Sequence, residues 1–576
     1  LTQIFFNSGV DTAACRFYHL FDQFFIEGEP QLTATISLYG CGVVSPSDHG
    51  HGNPGGVAKL RAFSDSMWTA HSGIAAAECF HGSMLVGNAK FNFEDYRGAI
   101  TRIVNEKRYF QLQKSAGEWI QFAMGATLDA VDCCPGLEEL IRRIPHRVST
   151  IIGTGLGDVK SSILAHSQLE KAEYDWFHFW GGARAKEALL SGVLPAGLED
   201  PGSIANDYDA FQAKRRLFAY FADQNPALAE YLRDYAAIER RPLGGSAEAS
   251  LINQLKAKAT DRNALRKKLG APMPPWESVS PNLLWNIPNL AAAQVSMLYG
   301  THGLTIGASA ACSTFALAVR LGLDEIKSGR ADVAIVGATD NNPQPEIIAA
   351  FQGARVGAFG NSVVQPMTEL RGTHVAGGAC VWILCRDDVA SAAGLSSLGV
   401  RVRGISVTSD GEHVITPSAD GPTTAVQLAL ADSNVEPSAI QSWDLHCTGT
   451  PGDVQELDHI KKFAGKTAVM TARKGMFGHG MAACGGWELT AQLFSPRYVN
   501  SSDPAFTIPP SWIEPESLAS AVQERGLNIL TKESRQVAAR IVRGERGQEH
   551  RLLCAKLNMG VGGVSSCIIC ERTEMT

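Results

Sequence analysis

The sequence predicts an α/β fold built from two similar halves. Three observations carry that prediction: short runs rich in Val, Ile and Leu alternate with helical patterns, the same rhythm recurs after residue 396, and a charged, Pro-broken segment interrupts the first half. Strands this apolar need cover on both faces, so alternation with helices reads as sheets sandwiched between helical layers. A chain of 576 residues with 45% hydrophobic content can bury a large core, and it is too long for one ordinary domain unless its halves repeat.

In chain order, residues 1–34 read as an N-terminal extension. The N-terminal half is expected over 35–395, with strands at 35–38, 148–152, 333–336 and 381–384 and helices at 116–131 and 313–327. The C-terminal half is expected over 396–576, with strands at 400–407, 442–445, 468–471, 552–557 and 566–570 and helices at 423–430, 454–462 and 481–493. Between about 164 and 285 the composition shifts to Ala, Arg, Lys, Glu and Asp. Helical stretches at 209–222 and 247–268, broken by Pro226, Pro242, Pro272, Pro274 and Pro275, mark a helical insertion. Its role is open between a solvated decoration and a lid or docking surface. The aromatic group Trp176, Phe177, Phe179 and Trp180 is expected to pack against the core or a dimer mate, or to form a wall facing substrate.

Charge and cysteine usage exclude several classes. A formal net charge of −7 lacks the basic excess of a nucleic-acid-binding protein, although an acidic carrier protein could still use a local basic patch. The 13 cysteines are scattered and form no paired CxxC units, which argues against a disulfide framework and a zinc site and favours a reducing cytoplasm. No apolar run reaches membrane-spanning length, and the first residues lack a signal-peptide pattern; a start at Leu1 reads as a trimmed chain.

The chemistry-bearing segment is Ala308-Ser309-Ala310-Ala311-Cys312-Ser313-Thr314-Phe315, followed by a helical pattern and the apolar run 332–337. A thiol at the start of a helix meets partial positive charge and free N–H donors, which favour the thiolate. Alone, such a cysteine is as readily a buried filler. Two further clusters bear on it: Asp444-Leu445-His446-Cys447-Thr448-Gly449-Thr450-Pro451, and Lys474-Gly475-Met476-Phe477-Gly478-His479-Gly480 with Glu488 beyond.

In this order, with Gly560-Val561-Gly562-Gly563 following, the motifs resemble those of the beta-ketoacyl synthases. Quieter matches are Gly40-Cys41-Gly42-Val43-Val44-Ser45-Pro46, Gly153-Thr154-Gly155-Leu156-Gly157, and Thr408-Ser409-Asp410 before His413 and Pro417. The likeness covers roughly 35–165 and 285–572. It implies a thiolase-like five-layer α-β-α-β-α fold, a homodimer, and substrates carried as thioesters by the phosphopantetheine arm of an acyl carrier protein or coenzyme A, with no tightly bound cofactor. Cys312 would hold an acyl group as a thioester. His446 and His479 would donate N–H bonds to the enolate left when a malonyl-type thioester loses carbon dioxide.

Also implied by the resemblance, Lys474 and Glu488 are buried together and order the histidines, Thr448 and Thr450 hold the phosphopantetheine arm, Leu156 lines the acyl pocket, and the N–H groups of Cys312 and Val561 form the oxyanion hole. As residues alone, the lysine and glutamate could be unrelated surface groups and the threonines structural turn residues. Departures from the family pattern are Val561 in place of a gating phenylalanine, Cys447 in place of glycine, and Val564-Ser565 in place of Thr-Asn. The alternative is a non-elongating acyltransferase or a chain-length-factor or scaffold subunit; retention of Cys312, His446 and His479 argues against a scaffold. Cys567 and Cys570 read as core strand, His49 and His51 as solvated, and the 153–157 glycines lack the spacing of a dinucleotide loop.

Overall fold

The runs rich in Val, Ile and Leu fall in the strands of two five-stranded sheets in the computed structural model. Residues 35–47, 55–69, 72–244, 248–412, 414, 418, 420–498, 505–509, 511–534, 538–540 and 551–573 are described. The expected 1–34 extension, His49, His51, His413 and Pro417 lie outside them. One unit comprises the described residues up to Gly157 and from Pro288 onward; those within Asp158–Ile287 form another.

In the larger unit, strands β1 (Ile36–Val44), β2 (Val148–Gly153), β3 (Thr305–Ile306), β4 (Val333–Asp340) and β5 (Gly378–Arg386) make the first sheet. Strands β6 (Val400–Ser409), β7 (Ser442–Asp444), β8 (Val469–Thr471), β9 (Arg551–Gly560) and β10 (Val564–Thr573) make the second. The orders are β1-β5-β4-β2-β3 and β6-β10-β9-β7-β8. Counted from its own first strand, each half therefore runs first, fifth, fourth, second, third. In both, the first three strands of that order pair antiparallel and the remaining pairs are parallel.

The repeat extends to single residues. The opening strand of each half carries a bulge, at Tyr39 in β1 and at Arg403 in β6, and a glycine follows each. A Cβ on Gly40 would sit 2.3 Å from the Ala130 carbonyl of helix α1 (Glu118–Asp132). On Gly404 it would sit 2.3 Å from the Ala429 carbonyl. The glycines let each sheet meet its outer helix at backbone contact.

Helices α1 and α2 (Leu290–Tyr299) cover the outer face of the first sheet. Helix α3 (Thr314–Lys327) lies between the sheets; α4 (Gly421–Ser433) covers the outer face of the second, where α5 (Gly452–Ile460) packs beside it, and α6 (Cys484–Phe494) joins α3 in the middle. That makes five layers, α-β-α-β-α. Residues 484–493 of α6 are all buried, as expected for a helix with a sheet on either side. The apolar core accordingly falls into a central cluster between the sheets and an outer cluster on each flank.

Helix α2 escapes periodicity analysis because Leu-Ala-Ala-Ala-Gln-Val-Ser-Met-Leu-Tyr is apolar almost all round. No helix among the described residues is long and apolar enough to cross a membrane.

The 158–287 unit is helical: Val159–Ser191, Asp207–Asp223, Pro226–Glu239 and Glu248–Leu269. The 33-residue first helix was not among the stretches read from sequence, because its apolar residues are spread around the axis rather than along one stripe. Side chains of Asp158, Asn206 and Asn225 cap three of the helices. Trp176 and Trp180 are buried against Tyr231 within the unit's own core, and Phe179 is exposed. Of the cluster expected to pack against the core or a dimer mate, or to face substrate, Trp176 and Trp180 thus lie in a core internal to the unit.

Candidate active site

Cys312 sits in a tight turn between β3 and α3. Its predecessor Ala311 has φ 47°, a left-handed conformation costly for a residue with a side chain, so the surroundings must hold it. Thr314 does so: its Oγ1 donates to the Ala311 carbonyl at 2.7 Å and accepts the Ala310 N–H at 2.9 Å. The second half repeats the elbow before α6, where Met481 has φ 46° and Ala482 takes the place equivalent to Cys312. Asp340, at the end of β4, ties that second elbow to the glycine loop of the first half. Its buried carboxylate accepts the N–H of Ala482 at 2.9 Å, the Thr154 hydroxyl at 2.6 Å, and the N–H groups of Gly155 and Leu156.

Both histidines converge on the Cys312 thiol, and the three donor atoms lie within 4.8 Å of one another. Cys312 Sγ is 3.2 Å from His479 Nε2, and the two imidazole rings meet edge to face at 5.2 Å. Each ring has a donor at its other nitrogen. Met481 N–H donates to His479 Nδ1 at 3.2 Å, and Asn558 Nδ2 approaches His446 Nδ1 at 3.3 Å. With Nδ1 accepting, each neutral imidazole carries its proton on Nε2, and that of His479 faces the Cys312 sulfur.

The loops are held by backbone bonds to buried acids. The N–H groups of His446 and Cys447 donate to Glu456 of α5 at 2.5 and 2.7 Å, and those of Thr448 and Gly449 to Asp453 at 2.7 and 3.0 Å. Burial pushes Glu456 up to about 7 and Asp453 up to about 6. His479 is fixed through its own N–H, which donates to the His374 carbonyl at 2.6 Å.

Beneath the histidines runs a chain of buried charges. Lys474 Nζ pairs with Glu488 Oε1 at 2.7 Å, Lys556 Nζ lies 2.7 Å from Glu488 Oε2 and 2.9 Å from Asp444 Oδ1, and Arg473 pairs with Asp444. Three cations face two anions. Burial and the Lys474 charge hold both imidazoles well below the ordinary histidine range, with Lys556 adding to the effect. Burial pushes the Cys312 thiol up to about 11, while Lys474 and the N–H of Val561 pull the other way. The field that disfavours an imidazolium also disfavours a metal dication, so the charge pattern suits thioester chemistry better than a metal centre.

The sequence-derived residues do not all gather. Cys312, His446, His479, Lys474 and Glu488 share one buried site. Val561 reaches the sulfur with its N–H while its side chain is 52% exposed. Thr448 and Thr450 are half-buried and bond each other, Oγ1 to Oγ1, at 2.9 Å. Leu156, expected to line the acyl pocket, is 42% exposed, and its N–H donates to Asp340. Cys447 is buried, and burial with Glu456 nearby raises its thiol well above the usual range. Cys567 and Cys570 are buried in β10.

Sequence reasoning missed Lys556, Asp444, Arg473, Asn558 and Asp340. Lys556 had a signal: a lone lysine within Leu552-Leu553-Cys554-Ala555-Lys556-Leu557, a strand otherwise apolar on both faces.

Two family models match the chain, the N-terminal domain of beta-ketoacyl synthase over residues 257–390 and its C-terminal domain over 400–497. Both segments are thus similar to the beta-ketoacyl synthase family. The matched segments contain Cys312, His446, Lys474, His479 and Glu488; Val561 and Lys556 lie beyond them. The chain is 30% identical over 210 residues to nodulation protein E of Rhizobium meliloti, covering 36% of this chain and 52% of that protein. It is also 30% identical over 240 residues to 3-oxoacyl-[acyl-carrier-protein] synthase 2 of Staphylococcus aureus, covering 40% of this chain and 57% of that one. The chain thus spans about half the length of these curated relatives. Among solved structures, the ishigamide ketosynthase/chain length factor aligns with TM-score 0.61 at 17% identity, covering 94% of this chain and 100% of that one. A beta-ketoacyl synthase from Burkholderia phymatum aligns with TM-score 0.59 at 16% identity and the same coverage. At those identities the likeness concerns the thiolase-like fold.

Proposed function

We propose that this protein is a beta-ketoacyl synthase that condenses an acyl group held on Cys312 with a malonyl-type thioester, releasing carbon dioxide. The observation that carries the reading is the 3.2 Å approach of Cys312 Sγ to His479 Nε2, with the Nδ1 of each histidine supplied with a donor. In the first step the Cys312 thiolate attacks an acyl thioester. The tetrahedral oxyanion accepts N–H bonds from Cys312 and Val561, and the carrier thiol leaves.

In the second step the malonyl thioester loses carbon dioxide, and its carbonyl oxygen becomes an enolate that accepts the Nε2–H groups of His446 and His479. Neutral imidazoles suit this role: each gives a hydrogen bond without surrendering its proton. The enolate carbon then attacks the Cys312 thioester, forming the carbon–carbon bond and expelling the thiolate. Lys474 and Glu488 set the charge beneath the histidines, and Thr448 and Thr450 offer hydroxyls to a phosphopantetheine arm of acyl carrier protein or coenzyme A.

A homodimer fits the fold through β3, whose Thr305 and Ile306 are both exposed at a sheet edge. The alternative, a transfer-only enzyme, keeps the first step and lacks the second. Incubation with a malonyl carrier and a panel of acyl thioesters tests the proposal. Carbon dioxide and a beta-ketoacyl product are expected with at least one primer. Acylation of Cys312 without decarboxylation would establish transfer only, and neither activity in wild type would refute the enzyme.

A further inference from the structure

The buried charge chain has at its centre a group that no sequence motif marks, Lys556, which joins the Arg473–Asp444 pair to the Lys474–Glu488 pair. Lys556 is 1% exposed in the middle of β9, a strand whose neighbours β7 and β10 leave no route to water. A lysine is placed in such a strand only against strong compensation, because stripping an ammonium of water costs several kcal/mol on the order-of-magnitude scale. Lys556 meets two carboxylates, Asp444 at 2.9 Å and Glu488 at 2.7 Å, and also donates to the Leu445 carbonyl at 2.9 Å.

Both carboxylates already have another cation. Arg473 pairs with Asp444, and Lys474 pairs with Glu488 through the other carboxylate oxygen, so deletion of Lys556 would leave two complete one-to-one pairs. Lys556 is therefore surplus to neutralisation. Its position makes Glu488 a bridge between two ammonium groups rather than the private partner of Lys474.

We propose that Lys556 is a positioning residue of the active site: by sharing Glu488 it leaves the Lys474 ammonium only partly neutralised, so a net positive charge faces Cys312, His446 and His479. That charge lowers the cost of ionising the buried thiol and keeps both imidazoles neutral for hydrogen bonding. The groups facing these three residues from other elements are few. Cys312 faces Lys474, Glu488 and Asp340, with Cys484 of α6 nearby; His446 faces Lys474, Lys556 and His479; His479 faces Lys474 and Lys556. From α5, Glu456 and Asp453 bind the backbone of the His446 loop, spending their charge on four N–H groups. The catalytic meaning rests on the proposed condensation, but the electrostatic effect on Cys312 does not.

The test is the rate at which iodoacetamide alkylates Cys312 between pH 7 and 9, followed by mass spectrometry of the Cys312 peptide. Lys556→Met removes the surplus cation and is expected to slow alkylation by about threefold or more, equivalent to a thiol raised by about half a pH unit. Asp444→Asn removes an anion and is expected to quicken alkylation by a similar factor. Opposite signs in the two variants support a field effect. Equal rates in folded Lys556→Met and wild type, or a change of the same sign in both variants, overturn it. If Lys556→Met does not fold, Asp444→Asn alone decides: faster alkylation supports the proposal, and an unchanged or slower rate contradicts it. Alkylation needs no carrier or malonyl group, so an inactive enzyme with the expected rates would sink the ketosynthase reading and leave this one standing.

Discussion

His479 accepts the backbone N–H of Met481 at its Nδ1, 3.2 Å away, and this leaves Nε2–H aimed at Cys312. Met481 occupies the strained position that Ala311 holds in the other half. The repeated elbow thus serves two purposes: in the first half it presents a nucleophile, and in the second it fixes a tautomer.

Replacement of His479 by Ala should separate the two steps. Beta-ketoacyl formation is expected to fall about a hundredfold or more through loss of an enolate donor. Acylation of Cys312 should persist and be visible as a mass increment. Loss of both steps together would assign His479 to activation of the thiol instead.

Thiol reactivity should climb through the alkaline range. Burial pushes Cys312 up to about 11, and only the thiolate attacks, so below that value the reactive fraction rises as pH rises. The alkylation rate is expected to increase about tenfold per pH unit from 7 to 10 without a plateau. A plateau near neutrality would mean that the cations outweigh burial.

Glu488 is the keystone of the buried chain. Glu488→Gln leaves Lys474 and Lys556 without the carboxylate between them, a buried like-charge pair. Breaking such a pairing is expected to cost about 3–5 kcal/mol, measured by urea denaturation. A loss below about 1 kcal/mol, the range of exposed pairs, would show that water reaches the network.

Gly560 bears on the oxyanion donors. A Cβ there would lie 3.0 Å from the Ala310 carbonyl and 3.2 Å from the Cys312 nitrogen, tighter than ordinary contact. Gly560→Ala should push the Val561 N–H away from the sulfur and slow acylation about tenfold or more, with the melting temperature little changed. Normal acylation kinetics in this variant would remove Val561 from the site.

Much of this was legible in the sequence because it rests on local signals. Strands β4, β5 and β9 are apolar runs, and Cys312, His446 and His479 stand among small and turn residues that mark loops at strand ends. The pairing of strands required the structure, since the matching bulges before Gly40 and Gly404 are long-range features. The bond that holds the Leu156 backbone to Asp340, 184 residues away, was likewise beyond local signals. Asp444 and Arg473 were missed for a similar reason: each is an ordinary charged residue in its own segment and becomes unusual only when the fold brings both to Lys556, itself marked by its apolar strand, without water.

Decarboxylative condensation at Cys312 is most directly tested by intact-protein mass spectrometry in two stages. An acyl thioester donor should add its acyl mass to wild type and not to Cys312→Ala. A malonyl thioester added next should remove that mass, with one carbon dioxide released and one beta-ketoacyl product formed for each acyl group lost. An acyl mass that survives the malonyl addition, or that forms equally on Cys312→Ala, would contradict it.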